Sequence, residues 1–92
     1  MPQWPAWWRW ELDLSSPHLA ERMSDRFFNE VDLREMLAEA TAYEPALEPG
    51  RFLIVTRHGG RTWEVVVEPQ VERERLRVIT AYWTGPIPDW RT

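Results

Sequence analysis

The amino-acid sequence predicts one α+β domain of two layers, in which two helices cover one face of a small sheet. Three observations predict this class. Apolar residues alternate near the N-terminus, two segments with helical periodicity follow, and three β-rich runs complete the chain. A chain of 92 residues has room for one modest hydrophobic core. We therefore expect a strand, two helices and a three-stranded antiparallel meander, in that order.

The first element is predicted from the stretch WPAWWRWELDLS, which has four tryptophans within seven residues. From Trp8 onward every second residue is apolar and charged residues lie between, which is the period of a half-buried strand. We expect this strand to span residues 7–14 and to bury Trp8 and Trp10. Trp4 and Trp7 are then left as candidates for a partner-binding surface.

Two helices are predicted next, over residues 17–27 and 30–42. Ser16 is a suitable N-cap for the first helix, and Pro17 suits its first position. Asn29 can cap the second helix, whose first turn carries acidic residues at the positive end of the helix dipole. The second helix should end before a proline-rich connector.

A β-hairpin is the clearest local prediction. Two β-rich runs, over residues 51–58 and 61–68, flank a Gly-Gly pair that suits a two-residue turn. Closing the turn there pairs His58 with Arg61 and fixes the register of the whole hairpin. One face is then nearly all apolar and the other is mixed, so the helices should cover the first face.

The third strand of the meander is expected over residues 75–83, with an irregular tail at 84–92. Both faces of this strand are apolar, so the sequence leaves open which one is buried. The two competing sets are Leu76, Val78, Thr80 and Tyr82 on one face, and Ile79, Ala81 and Trp83 on the other. Tyr82 reaches the open face of the sheet only if the second set faces the helices.

Composition excludes several classes of protein. The chain has no cysteine, which removes disulfides and thiolate metal sites, and its two histidines argue against a histidine-rich metal centre. We expect no cofactor and no metal. Without an apolar run of about 18 residues or a signal-peptide pattern, we expect a cytoplasmic protein that does not enter membranes. The net charge of -4 argues against a broad basic surface but allows a small cationic cleft.

One long segment of the chain resembles a known family. The runs SPHLAERMSDRFFNEVDLREML, GRFLIVTRHGGRTWEVVVEP and RLRVITAY, within residues 9–83, resemble the small uncharacterised domains of the RelE/ParE-like toxin superfamily. Within it the chain is most similar to the group that includes BrnT-like toxins. The resemblance implies a single RelE/ParE-like domain over residues 1–92 and a bacterial toxin with a cognate antitoxin. In the ribonuclease members it implies metal-independent cleavage of mRNA, often on the ribosome.

The implied reaction needs a base for the ribose 2′-hydroxyl, a cation for the phosphorane charge and an acid for the leaving oxygen. On the open face of the sheet, Arg57 would stabilise the phosphate, and Glu64 or His18 would be the base. Tyr82 occupies a strand position where BrnT-like toxins carry a polar or basic residue, and would orient the substrate or act as the acid. The candidate residues for binding RNA phosphates are Arg22 and Arg61.

Other interpretations of the same residues stay open. Arg57 and Glu64 could form an ordinary cross-strand ion pair, and His18 could be a helix-start residue bonded to a neighbouring strand. The main alternative function is a non-catalytic interaction module, which would form a homodimer or bind a partner chain through Trp4, Trp7 and Trp90. A small-molecule site on the mixed face is a third alternative.

Overall fold

A computed structural model describes residues 4–84 of the chain and confirms the α+β class. In chain order the elements are β1 (Glu11–Asp13), α1 (Pro17–Arg26), α2 (Glu30–Ala38), β2 (Ala42–Pro45), β3 (Phe52–His58), β4 (Arg61–Gln70) and β5 (Arg75–Thr84). The strands form one mixed sheet in the order β1-β5-β4-β3-β2. The predicted meander is present as β3, β4 and β5, but two further strands extend the sheet on either side.

The predicted N-terminal strand over residues 7–14 is wrong in its first half. Ala6–Arg9 is a 3-10 helix, and only the three-residue β1 pairs with β5, in the parallel direction. In a strand, Trp7 and Trp8 would point to opposite faces, whereas the helical turn lets Trp7, Trp8 and Trp10 all pack against the core. Partial burial of three aromatic side chains therefore outweighs the alternating pattern.

The two helix caps differ. Asn29 forms a complete capping box with Asp32, through hydrogen bonds of 3.0 and 2.9 Å, as expected for the start of α2. Ser16 stands at the predicted N-cap of α1, but its hydroxyl donates to the Ile79 carbonyl of β5 at 2.9 Å instead of capping the helix. This buried hydrogen bond ties the start of α1 to the sheet.

The second helix is shorter than predicted because the chain turns early into the sheet. α2 ends at Ala38, and β2, which lies in the predicted helix end and connector, pairs antiparallel with β3. A four-residue edge strand that ends in a proline has too short a pattern to be separated from a loop in the sequence. β4 also continues to Gln70, before a 3-10 turn at Val71–Arg73.

The register of the β3–β4 hairpin is as predicted, with His58 opposite Arg61. The pairing of β4 with β5 contains a β-bulge, because Val67 pairs with Val78 while Val66 pairs with Thr80. One residue of β5 is therefore extra at this point. The core between helices and sheet contains the fully buried side chains of Leu19, Leu33, Met36, Ile54, Val65, Val67, Leu76 and Val78.

The bulge decides which side of β5 is buried. Before the bulge, Leu76 and Val78 face the helices, and after it Ala81 and Trp83 do. Each of the two competing sets in the sequence is thus right for one half of the strand. Tyr82 lies in the second half and points to the face of the sheet that carries no helix.

Candidate functional site

A carboxylate and a phenol meet on the open face of the sheet. Glu64 of β4 and Tyr82 of β5 are direct cross-strand partners, so the carboxylate and the phenol are neighbours on this face. Arg57 of β3 lies on the same face, opposite Thr62 and two register pairs closer to the hairpin turn. Diagonal neighbours in a sheet are roughly 7 to 8 Å apart, within reach of a long arginine side chain. Three of the four predicted catalytic residues therefore share one surface.

The environment of Tyr82 keeps its hydroxyl protonated. Burial raises the pKa of Tyr82 above its usual value of 10.0, and the negative charge of the neighbouring Glu64 raises this pKa further. At neutral pH the phenol is therefore a hydrogen-bond donor. A protonated phenol beside a carboxylate is a suitable pair of proton donor and proton acceptor.

The guanidinium of Arg57 is exposed at the rim of this surface. The alternative of a cross-strand ion pair with Glu64 is not formed in the described part of the chain, because Glu64 interacts with Tyr82 instead. The planar donors of Arg57 are thus available to an anionic ligand. Phosphate oxygens suit this fork of donors well.

The two ends of the open face differ in charge. Next to Tyr82 lies a depression of about 420 Å³, whose outer wall is the loop between β2 and β3. Acidic Glu44 and Glu48 line it, and Arg51 there is already ion-paired to Glu48 at 2.6 Å and to Glu68 at 3.0 Å. The opposite end, at the hairpin turn, carries the exposed Arg57 and Arg61, and Glu35 and Glu39 line a depression there with Arg57. The exposed cation of the site therefore lies at the hairpin end, beside carboxylates of α2 and its C-cap.

Two of the predicted residues lie away from this site. His18 and Arg22 are exposed on α1, and α1 packs against the other face of the sheet. His18 is therefore separated by the sheet from the open-face residues, which leaves Glu64 as the candidate base. Arg61 also lies on the helix side, with its guanidinium carbon 4.4 Å from the centre of the Trp83 ring.

The tryptophans predicted to bind a partner are partly used within the chain. Trp4 stacks on Trp8 with ring centres 4.4 Å apart, and Trp7 lies 5.0 Å from Phe52. Tyr43 of β2 contacts both Trp4 and Trp7. This cluster covers one end of the core. The third candidate, Trp90, lies outside the described residues.

A cluster that the sequence did not predict joins α2 to the hairpin turn. The Nε2 atom of His58 is 3.3 Å from Asp32, and its Nδ1 atom is 3.8 Å from Glu35. The donor atoms of the three side chains lie within 4.8 Å of one another, an arrangement that could hold a divalent cation. They also satisfy one another directly. No sequence signal indicated the cluster, because its members come from two separate elements.

The comparisons with known proteins fit this architecture. A family model described as Domain of unknown function (DUF4258) matches residues 15–83, which span α1 to nearly the end of β5. The chain belongs to this family. The DUF4258 match leaves out the tryptophan-rich segment, and no curated protein matches the chain. In the described residues no helix is long and apolar enough to cross a membrane.

A solved structure shares the fold. The crystal structure of the Brucella abortus ribonuclease toxin BrnT superposes with a TM-score of 0.63 at 19% identity, over 84% of this chain and 99% of that chain. The fold of this DUF4258 member is thus similar to that of BrnT. Assignment to the wider RelE/ParE superfamily stays a prediction.

Proposed function

We propose that this protein is the toxin of a toxin-antitoxin pair and a metal-independent endoribonuclease that cleaves mRNA on the open face of its sheet. The observation that carries the proposal is the cross-strand Glu64–Tyr82 pair, which shares the open face with the exposed Arg57, two register pairs nearer the hairpin turn. The similarity in fold to a ribonuclease toxin supports the same function.

The three side chains supply the groups that RNA cleavage needs. Glu64 accepts the proton of a ribose 2′-hydroxyl, and the 2′-oxygen attacks the adjacent phosphorus. Arg57 stabilises the negative charge on the phosphorane. Tyr82 gives its proton to the leaving 5′-oxygen, so that the products end in a 2′,3′-cyclic phosphate and a 5′-hydroxyl.

Proton transfer between the two neighbouring side chains then resets the site. After cleavage Glu64 holds one extra proton and Tyr82 lacks one, so a single proton transfer between these cross-strand partners restores both. The transfer runs towards Tyr82, because a phenolate is much more basic than a carboxylate. The cycle needs no bound cation.

The biological setting of the proposal follows from the toxin class. A nuclease acting on mRNA in the cytoplasm requires a cognate antitoxin, which would block the open face or hold the toxin inactive. The ribosome and a second copy of this chain are further proposed partners. The alternative of a non-catalytic interaction module predicts a folded protein that binds such partners and cleaves nothing.

Cleavage of single-stranded RNA by the purified chain in EDTA tests the proposal. Glu64→Gln and Tyr82→Phe should each lower the rate by about 10² or more, and Arg57→Ala should lower it by a similar factor. Glu72→Gln and Arg73→Ala are matched controls on the exposed 3-10 turn, and both should cleave as the native chain does. Native cleavage that survives all three open-face substitutions would overturn the proposed site. A folded native chain that cleaves no RNA would favour the interaction module.

A further inference from the structure

We infer that four residues at the hairpin end of the molecule, Arg26, Phe27, Arg61 and Trp83, form a second binding site for single-stranded RNA. We call this surface the tip patch. It would hold a nucleotide that flanks the cleavage site, with the base stacked on Phe27 and phosphates bound by the two arginines. The inference rests on the proposed function for its class of ligand.

Two arginine side chains make cation–π contacts with the ring of Trp83. The guanidinium carbons of Arg26 and Arg61 each lie 4.4 Å from the centre of its ring. In this contact the flat face of a guanidinium is used, and its N–H edge stays available for hydrogen bonds. The Nε atom of Arg26 is buried and has no hydrogen-bond partner among the described residues, so it is not one of the donors that a ligand would reach. Neither arginine forms an ion pair with a described residue.

Phe27 is the C-cap of α1, where its backbone N–H donates to the Met23 carbonyl, but its aromatic side chain points into solvent. Its side chain is 90% exposed, and its backbone is left-handed at the end of α1, with a φ of 55°. The next residue, Phe28, fills the core in its place and contacts Trp63 edge-on at 5.2 Å. A large exposed aromatic side chain on a left-handed backbone does not stabilise the fold, and its position suits contact with a ligand. Base stacking on an exposed aromatic ring is such a contact.

The tip patch lies at the same end of the sheet as Arg57, next to the open face. Trp83 follows Tyr82 in β5 and is the cross-strand partner of Trp63, on the helix side of the sheet. Arg61 is the first residue of β4, next to the pair formed by Thr62 and Thr84. An RNA strand that leaves the Glu64–Tyr82 site past Arg57 therefore has to bend around the hairpin end of the sheet to reach the tip patch on the helix side. The acidic loop at the other end of the open face disfavours the opposite direction.

Single-stranded nucleic acid fits this combination better than a protein ligand does. An aromatic ring beside cations whose donors are available matches one base and its neighbouring phosphates. Since such sites are sequence-tolerant, the tip patch would contribute affinity for RNA and not choice of sequence.

A binding experiment without cleavage tests the inference. The probe is a fluorescein-labelled 2′-O-methyl oligonucleotide, which lacks the attacking 2′-hydroxyl, and its affinity is measured by anisotropy at several salt concentrations. Phe27→Ala should weaken binding by about fivefold or more. Arg26→Ala and Arg61→Ala should each reduce the slope of log K against log salt by about 0.7. Val31→Ala, at a 63% exposed apolar residue of α2, and Arg73→Ala are the matched controls.

The outcomes separate this inference from the proposed function. Tip-patch variants that bind the probe as tightly as the controls do would overturn the inference, even if the native chain cleaves RNA. A native chain that binds through the tip patch but cleaves nothing would overturn the nuclease and leave the inference standing. Equal competition by poly-glutamate, with no dependence on Phe27, would overturn the assignment to RNA.

Discussion

Replacing Phe27 with glycine should stabilise the fold, although it deletes an aromatic side chain. An L-residue in the left-handed conformation, here with φ 55° and ψ 53°, costs roughly 1 to 2 kcal/mol. Glycine removes this cost, but its greater backbone freedom in the unfolded chain destabilises the folded protein by about 0.5 to 1 kcal/mol. Because Phe27 is 90% exposed, little apolar burial is lost. The free energy of unfolding should therefore rise by up to about 1.5 kcal/mol.

Urea unfolding followed by circular dichroism measures this change. Glu74→Gly is the matched control, because Glu74 has the same backbone conformation, with a φ of 49°, in an exposed turn. Both glycine variants should be stabilised, and only Phe27→Gly should also weaken RNA binding. Phe27→Ala keeps the strain and should change stability by only about 0.5 kcal/mol or less. A Phe27→Gly variant that is less stable than the native chain would refute the reasoning.

Three further predictions concern single side chains. Thr56→Val should lower the free energy of unfolding in urea by about 1 to 3 kcal/mol, because the buried hydroxyl of Thr56 donates to a carbonyl in the last turn of α2; an unchanged midpoint would contradict this. Hydrogen bonds from Ser15 hold the pKa of Asp13 below 3.8, so Asp13→Asn should have a lower free energy of unfolding than the native chain at neutral pH. This difference should disappear as the pH falls below 3.8 and Asp13 takes up a proton, and a difference that grows at low pH would contradict the prediction. Glu64→Gln should lower the pKa of Tyr82 in an ultraviolet titration, and a pKa that stays unchanged would remove Glu64 as a cause of its shift.

Local signals predicted the parts of the fold that depend on local chemistry. The Gly-Gly pair is enough to fix the hairpin register, because both glycines have the positive φ that a two-residue turn requires. Once the turn is placed, it determines which residues of β3 and β4 pair and which face each side chain occupies. Asn29 is followed at the third helical position by Asp32, whose carboxylate completes the capping box. These features are decided within a few residues of the chain.

The features that were mispredicted depend on contacts between distant residues. Trp8 and Trp10 have the spacing of a strand, but their segment turns so that neighbouring tryptophans can all reach the core. The bulge in β5 arises only in its pairing with β4, so one face could not be chosen along the whole strand. The short β2 gains its hydrogen bonds from β3 and shows no pattern of its own.

The candidate site was predictable as far as the hairpin register extends. That register places Arg57 and Glu64 on the mixed face of the sheet. Tyr82 joins them only because of the bulge, and His18 lies on α1, across the sheet. The stacking of Arg26 on Trp83 brings together the end of a helix and the end of the last strand, so no sequence motif could indicate it.

The rate of RNA cleavage in EDTA by the native chain, Glu64→Gln and Tyr82→Phe tests the central claim most directly. The account predicts that the native chain produces fragments with 2′,3′-cyclic phosphate ends, and that each variant is folded and slower by about 10² or more. Variants that cleave as fast as the native chain, or native cleavage that depends on a divalent cation, would contradict it.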